Sequence, residues 1–460
     1  MKMARNLCIK YSVFILLAVL TSPATMVQGT AFAADETFQN VFQIDVPGGL
    51  NSFDIGFVDP HIGRYFLADR TSATVDEVKT SNNTIHQLAK GAFVGVQSGT
   101  NTSGPNGVIT ANNHTEVWAA DGVLCNNAQN ACATATTPAT QTSRIQVIDL
   151  KTGQVTHTID NGGQRRADEL CEDPQHHVVL VANDDDLDLF LTFISTNTYK
   201  IVGTISLKHG TDSNALGIKA TDGIEQCQWS PRTGKFYLAI PEVNGSDNPL
   251  KLPNQQPGAV LEINPVSLKV ERVFPIDFAF LSQTGTTPAT ADCLGPQGLA
   301  IGPNREILHG CSNSGKGSVI INELNGDLVR SLDGLNGNDE VWYNPGDNHF
   351  FLAGSNHNLA LPTPGPILGV VDQRPDTIGE DASPATAAGS HSVAADPVSN
   401  QVYVPGNKAA TSICHSGNGC IAVFVSANHD PGICGGREEN AFKKHVCPDN
   451  NNGHRNEDVN

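Results

Sequence analysis

The sequence predicts an all-β protein folded as a seven-bladed β-propeller, with the last blade closed by the N-terminal strand. Three observations support this prediction. The 460-residue chain contains 44 Gly and 26 Pro but only 16% charged residues, which is typical of many short strands joined by turns. A similar unit recurs seven times, at intervals of roughly 40 to 70 residues. Within several units, apolar and polar residues alternate with the period of a β-strand.

The recurring unit consists of a strand of small residues, a turn at Asp-Pro or Asn, and a strand rich in aromatic residues. Its instances are FDIGFVDPHIGRYFLAD, NGVITANNHTEVWAAD, DELCEDPQHHVVLVAND, EQCQWSPRTGKFYLAI, QGLAIGPNREILHGCS, DEVWYNPGDNHFFLAGS and HSVAADPVSNQVYVPGN. In RIQVIDLKTGQVTHTID (144 to 160) and AVLEINPVSLKVERVFPI (259 to 276), third and fourth strands follow, joined by hairpin turns. Four strands per unit are typical of a propeller blade.

The two ends of the repeat region predict how the ring closes. The seventh unit ends after its third strand, GCIAVFVSA, whereas FQNVFQIDV (38 to 46) has no hairpin partner. We therefore expect the N-terminal strand to complete the last blade, because this removes an exposed sheet edge. The propeller is expected to span residues 34 to 426.

The segments outside the propeller predict an exported protein. Residues 1 to 33 combine three basic residues, an apolar run from Val13 to Leu20 and the small residues AFA before Ala34, which is the pattern of a secretory signal. The apolar run is too short to span a membrane. Residues 427 to 460 are polar and lack periodicity, so we expect a mostly disordered tail with one small disulfide loop. The mature protein is expected to be secreted or periplasmic.

Ten of the eleven cysteines follow the predicted signal, an even number that suits an oxidising compartment. Proximity in the chain suggests the pairs Cys125 with Cys132, Cys293 with Cys311, Cys414 with Cys420 and Cys434 with Cys447, which leaves Cys171 and Cys227 for each other. The chain contains no C-x-x-C pair and no C-x-x-C-H motif, so neither a thiolate zinc site nor a haem is expected.

The net charge of −19 argues against nucleic acid or an anionic membrane as a partner, since phosphate binding requires clustered Lys and Arg. The sequence carries no P-loop and no Rossmann fingerprint, so no nucleotide cofactor is expected. No segment after the predicted signal is apolar enough to span a membrane. We expect a monomer that binds a small-molecule or protein ligand on one face.

The repeats resemble those of a known group of propellers. The pattern begins with a small-residue strand and Asp-Pro, continues with YFLAD or VYVPGN, and ends with VIDLKTGQVTHTI. It looks like the repeat of the seven-bladed YVTN and YncE-like group, within the wider lactonase-like class. The resemblance covers about residues 38 to 426. It implies the propeller fold, and it implies either lactone hydrolysis or binding without catalysis, because the group contains both kinds of protein.

A polar residue starts the innermost strand of every unit. Six residues before the turn of each unit stand Asp54, Asn106, Asp168, Glu225, Gln297, Asp339 and His391, and the next position adds Glu169, Gln226 and Glu340. Because inner strands line the central channel, these side chains are expected to form a ring around its axis. Unit charges about 4 Å apart interact by roughly 4 kcal/mol at an effective dielectric of 20, so a bound cation, shared protons or water must relieve the repulsion.

Six long loops are expected to rise around this ring and wall an acidic pocket. Four of them lie within blades (122 to 143, 241 to 258, 355 to 366 and 406 to 419), and two link blades (206 to 221 and 277 to 295). Binding sites are commonly built by loops at one end of a rigid scaffold.

The ring residues suggest a metal-assisted hydrolase of a lactone or ester. The predicted ligands of Ca²⁺ or another divalent cation are Asp168, Glu225 and Asp339, with the side-chain carbonyls of Asn106 or Gln297. The metal would polarise the substrate carbonyl while His391, Asp54 or Glu340 activates water. The predicted substrate contacts are Arg165, Arg166, Glu169 and Gln226. The two arginines could clamp a substrate carboxylate or pair with the ring's own acids.

Other interpretations of the same residues stay open. Propeller channels are commonly filled with water, which would satisfy the polar ring without a ligand. The same face could also serve a non-catalytic binding or scaffold protein. The segment NDDDLD (183 to 188) lacks the Gly and the distal Glu of an EF-hand loop, so it is predicted to be a solvated turn. Trp118, Trp229 and Trp342 are predicted to pack in the blade core.

Overall fold

The computed structural model describes residues 37–97, 102–123, 142–184, 189–244, 258–276, 293–311, 317–358, 365–373, 384–387 and 389–426. This part of the chain contains 27 strands and one short 3₁₀ helix, η1 (Ser213–Ala215). The predicted signal, the predicted tail and the proposed pairs Cys125–Cys132 and Cys434–Cys447 lie outside the described residues.

The strands form seven antiparallel sheets in chain order, which confirms the predicted seven-bladed propeller. Blade 1 contains β2 (Gly56–Asp59), β3 (Arg64–Asp69), β4 (Thr74–Lys79) and β5 (Thr84–Leu88), and blade 2 contains β6 (Val108–Ala111), β7 (Glu116–Asp121), β8 (Arg144–Asp149) and β9 (Gln154–Asp160). Blade 3 contains β10 (Leu170–Asp173), β11 (Val178–Asn183), β12 (Phe190–Ser195) and β13 (Lys200–Ser206), and blade 4 contains β14 (Cys227–Ser230), β15 (Lys235–Ile240), β16 (Gly258–Asn264) and β17 (Lys269–Ile276).

The remaining blades complete the ring. Blade 5 contains β18 (Pro296–Ile301), β19 (Glu306–Cys311), β20 (Gly317–Asn322) and β21 (Leu328–Asp333), and blade 6 contains β22 (Leu335–Asn344), β23 (His349–Asn358) and β24 (Ile367–Asp372). Blade 7 contains β25 (Ala394–Ala395), β26 (Val402–Gly406), β27 (Cys420–Ser426) and β1 (Phe38–Asp45). Blade 6 has three strands in the described part, and an isolated bridge from Ile367 to Ala385 extends its outer edge.

The first strands of the blades surround the central channel. In the order β2, β6, β10, β14, β18, β22 and β25 each contacts the next, and β25 contacts β2, so the ring is closed. The N-terminal strand completes this closure as predicted, because β1 pairs with β27 from Phe38↔Ser426 to Asp45↔Cys420.

The core lies between neighbouring sheets. Second strands such as β11 and β15 are buried along most of their length, because each lies inside its own sheet with other blades packed on both faces. The rings of Tyr65 in blade 1 and Tyr403 in blade 7 stack with centroids 4.7 Å apart. Trp118 and Trp229 are buried as predicted, whereas Trp342 is only partly buried.

Three of the predicted disulfides are confirmed. Cys171–Cys227, Cys293–Cys311 and Cys414–Cys420 have Cα–Cα distances of 5.8, 5.5 and 5.5 Å. The first joins the inner strands of blades 3 and 4. These disulfides are compatible with a protein outside the cytoplasm. The described residues include no helix that is both long enough and apolar enough to cross a membrane.

Candidate functional site at the channel mouth

The predicted ring residues stand at the starts of the inner strands. In four blades the same backbone hydrogen bond anchors them, with amide-to-carbonyl distances of 2.9 to 3.0 Å: Asp54 to Ala68, Asn106 to Ala120, Asp168 to Ala182 and Glu225 to Ala239. Gly107 lets the inner strands of blades 2 and 3 approach closely, since an added Cβ would lie 2.0 Å from the Asp168 carbonyl oxygen. The repeat thus places chemically different side chains at equivalent positions.

Arg70, which directly follows β3, binds two ring residues. Its guanidinium donates to the Asp54 carboxylate and to Asn106 Oδ1, the latter at 3.0 Å from Nε and 2.6 Å from Nη2. Asn106 Nδ2 in turn donates to the Ala167 carbonyl oxygen at 2.7 Å. Burial alone would raise the pKa of Asp54, but Arg70, with help from His391, lowers it to about 2. Asp54 is therefore a carboxylate at neutral pH.

Arg166 binds a second pair of acids. It contacts the carboxylate of Asp168, and its Nη2 lies 2.9 Å from Asp184 Oδ2. Asp184 is only 7% exposed, so the predicted solvated turn is wrong at this residue, while 185–188 lie outside the described residues. Burial would lower the pKa of Arg166, but its acidic partners hold it well above the usual range. Arg165 is partly buried, and its contact with substrate stays a prediction.

The two carboxylate oxygens of Asp168 lie in different environments. The residue is 2% exposed, and its Oδ1 atom accepts no hydrogen bond from the described residues. Burial raises the pKa of Asp168 to about 7 even though Arg166 lowers it, and the charges of Asp54 and Asp184 add to the rise. This carboxyl can therefore gain or lose a proton near neutral pH.

His391 is held by both ring nitrogens. Nδ1 lies 2.8 Å from the Gly389 carbonyl oxygen, and Nε2 lies 3.5 Å from Asp54 Oδ1. The imidazole stacks on Phe53 with ring centroids 4.9 Å apart. Burial would lower the pKa of His391, but Asp54 and Asp339 raise it above the usual value. Since a carbonyl oxygen only accepts, Nδ1 must carry a proton, and the protonated imidazolium is favoured.

Glu225, Gln297 and Asp339 complete the ring, and all three are partly buried. Gln297 Nε2 donates to Glu225 Oε1 at 3.4 Å. Burial raises the pKa of Glu225 well above its usual range, and Asp184 and Asp339 raise it further. The pKa of Asp339 is raised as well, chiefly by burial. We call Asp54, Asp168, Asp184, Glu225 and Asp339 the acidic mouth.

One layer deeper, three residues bond across the channel, and we call Glu169, Gln226 and Glu340 the channel plug. The Glu169 and Glu340 carboxyls, from blades 3 and 6, hydrogen-bond to each other. Burial raises the pKa of both well above the usual range, and the neighbouring charges add to the rise. The amide of Gln226 accepts from Leu299 N at 2.6 Å and donates to Val341 O at 3.1 Å. The predicted substrate and catalytic roles of this layer stay predictions.

Two features relieve the repulsion that the sequence predicts among these acids. Arg70 and Arg166 provide positive charge inside the ring, and burial raises the pKa of both plug carboxyls, which favours their neutral forms. In the described part of the chain, no three His, Cys, Asp or Glu side chains are grouped so that they could hold a metal ion. Asp168, a predicted ligand, and Asp54 are each bound to an arginine instead. The predicted Ca²⁺ site stays a prediction.

Sequence reasoning missed Arg70, and it assigned Asp184 to a solvated turn instead of the mouth. Both follow the second strand of their blade, one directly after YFLAD and the other directly after VVLVAN. In an antiparallel pair, the end of the second strand lies beside the start of the inner strand. A charged residue directly after the second strand was therefore a signal that it lies near the ring. The partners of these two residues across blade boundaries are not visible from spacing within one repeat.

The fold defines the class of protein as a seven-bladed β-propeller, and comparison with known proteins supports that class. A chain in the crystal structure of the mitotic checkpoint complex has a TM-score of 0.50 at 12% identity, covering 90% of this chain and 99% of that chain. The structure of U3-55K has a TM-score of 0.50 at 8% identity, covering 85% and 98%. At these identities the likeness shows the fold alone. No family model and no curated protein matches the chain.

Proposed function

We propose that the protein is an exported, non-catalytic member of the YVTN and YncE-like propellers, which binds a small molecule carrying hydrogen-bond donors at the acidic mouth. The observation that carries the proposal is the buried Asp168 Oδ1 atom, which lacks a donor among the described residues. An unsatisfied buried acceptor costs about 1 to 3 kcal/mol. Because the Oδ1 atom is covered, a ligand hydroxyl or ammonium group would recover that energy only after the side chains of the mouth shift to admit it.

The charges around Asp168 favour a donor ligand over an anionic one. Asp184, Glu225 and Asp339 lie in the same mouth, while the two arginines are already bound to acids. A ligand ammonium group would stabilise the ionised form of Asp168, whose pKa of about 7 makes that form accessible at neutral pH. Amines and polyols therefore suit this mouth better than carboxylates.

Binding without catalysis is supported better than metal-assisted hydrolysis. A general base needs a free lone pair, but the contacts of His391 with Gly389 and Asp54 favour its protonated form. The arginines contact Asp54 Oδ2 and Asp168 Oδ2, and their positive charges oppose a metal ion at these carboxylates. Hydrolysis of a lactone or ester, with Ca²⁺ as cofactor, remains the second hypothesis from sequence.

The test is a thermal-shift and calorimetry screen of the purified, oxidised protein against small amines, polyols and carboxylates, with calcium or with a chelator. We expect an amine or polyol to bind and to raise the melting temperature equally in both buffers. Asp168→Asn should weaken binding by about tenfold, while Asp333→Asn on the exposed end of β21 should not. Preference for carboxylates, or calcium-dependent turnover of a lactone panel, would overturn the proposal.

A further inference from the structure

A separate cavity of about 180 Å³ lies in the channel on the far side of the plug. Residues of all seven inner strands line it, and Glu169 and Gln226 of the plug form part of its wall. None of the five residues of the acidic mouth lines this cavity. The cavity therefore faces the opposite end of the propeller, where the first and second strands of the blades are joined by turns.

The walls of this cavity are largely apolar and aromatic. Phe57 and Trp342 meet edge to face with ring centroids 5.6 Å apart, and both are only partly buried. Ile109, Trp229 and Leu299 add apolar surface. An engineered apolar cavity of about 150 Å³ binds benzene, so the volume suits a ligand with a single ring.

Acidic groups stand where the cavity meets the turns. His114 Nδ1 lies 2.7 Å from Asp59 Oδ2, and the rings of His61 and His114 lie 4.4 Å apart. Glu172 accepts a hydrogen bond from Asn112 N at 3.0 Å, and burial raises its pKa to about 7. No Lys or Arg is among the described residues that line the cavity.

We propose that this cavity is a second binding site, specific for a small organic cation with one aromatic ring. The ring would pack between the aromatic and aliphatic walls, and the ammonium group would lie at Glu172. Carboxylates together with aromatic side chains attract organic cations, and the absence of lining Lys and Arg disfavours anions. Since the plug separates this cavity from the acidic mouth, the site is independent of the function proposed above.

Benzylamine is the probe, with benzyl alcohol and benzoate as uncharged and anionic analogues. Trp229 and Trp342 line the cavity while Trp118 is fully buried elsewhere, so intrinsic fluorescence reports occupancy and calorimetry gives the affinity. We expect saturable binding of benzylamine at concentrations up to about 10 mM, weaker binding of benzyl alcohol and none of benzoate.

Two variants and two controls locate the site. Glu172→Gln keeps the shape of the cavity and should reduce the affinity for benzylamine by about tenfold. The affinity for benzyl alcohol should stay unchanged in this variant. Ile109→Phe should fill the cavity and abolish the binding of both benzylamine and benzyl alcohol. Glu271→Gln, on the exposed outer strand of blade 4, and Asp333→Asn, on the exposed end of β21, should leave benzylamine binding unchanged.

The proposal is overturned if benzoate binds as tightly as benzylamine, if no saturable binding occurs, or if Glu172→Gln has no effect. Because Glu172→Gln preserves side-chain volume, this result stands even where Ile109→Phe fails to fold. The response of Asp168→Asn separates this proposal from the first, since a loss of benzylamine binding in that variant would place the probe at the acidic mouth.

Discussion

At the scale of single residues, burial and the neighbouring charges together set the charge state of each acid in the channel. Asp54 has Arg70, and its pKa is about 2. Glu169 has only another carboxyl, and its pKa rises far above the usual value because of burial and Glu340. The sequence predicts that these acids are close together, yet it does not predict their different protonation, because that depends on arginines from other strands and blades.

Glu169→Gln is expected to stabilise the protein at alkaline pH. The folded pKa of Glu169 lies above its unfolded value, so its stabilising contribution is complete below about pH 4.5 and is lost as pH rises toward the folded pKa. A glutamine amide donates to Glu340 at every pH. Urea unfolding should show little difference at pH 4 and a gain of at least about 1 kcal/mol at pH 9.

The control for this prediction is Asp333→Asn, an exposed acid on β21, which should show no comparable dependence on pH. An unchanged difference in unfolding free energy between wild type and Glu169→Gln from pH 4 to pH 9 would contradict the raised pKa of Glu169.

At the scale of elements, β1 shows which side chains hold the ring closed. Phe38 is 4% exposed and packs edge to face on Phe351, with ring centroids 5.1 Å apart, whereas Phe42 on the same strand is 50% exposed. The sequence already showed that the strand FQNVFQIDV lacks a hairpin partner and could complete the last blade. Which phenylalanine faces the neighbouring blade was not, because a register shift between Asn40 and Phe42 interrupts the alternation.

These two phenylalanines form a matched pair for testing the closure. Phe38→Ala should lower the free energy of unfolding by about 3 to 5 kcal/mol, since it leaves a cavity between blades 6 and 7. Phe42→Ala should change it by less than about 0.5 kcal/mol. Chemical denaturation of both variants measures the difference, and equal effects would show that the strand is held by its backbone pairing alone.

At the scale of the whole molecule, the disulfides connect parts of the ring at different distances along the chain. Cys171 and Cys227 are 56 residues apart and join two blades, whereas Cys414 and Cys420 are 6 apart within one blade. Chain proximity and elimination were sufficient to predict both pairs. The metal prediction had weaker support. The spacing of the repeats identifies the acids of the ring, but it does not identify the arginines that pair with them.

Removing the longer disulfide should destabilise the molecule more. In the chain-entropy model the larger loop accounts for a difference of about 2 kcal/mol between the double variants Cys171→Ala/Cys227→Ala and Cys414→Ala/Cys420→Ala. Equilibrium unfolding of both variants under oxidising conditions measures it. A greater loss in the shorter pair would mean that local packing, and not restriction of the unfolded chain, sets the contribution.

The channel plug has a consequence for how ligands enter and leave the molecule. Because Gln226 is fixed to two neighbouring strands and lines the inner end of the cavity together with Glu169, we expect the two ends of the propeller to exchange with solvent separately. A solute bound at either end leaves through the opening by which it entered. The axis would then hold two separate sites, which open at opposite ends of the propeller.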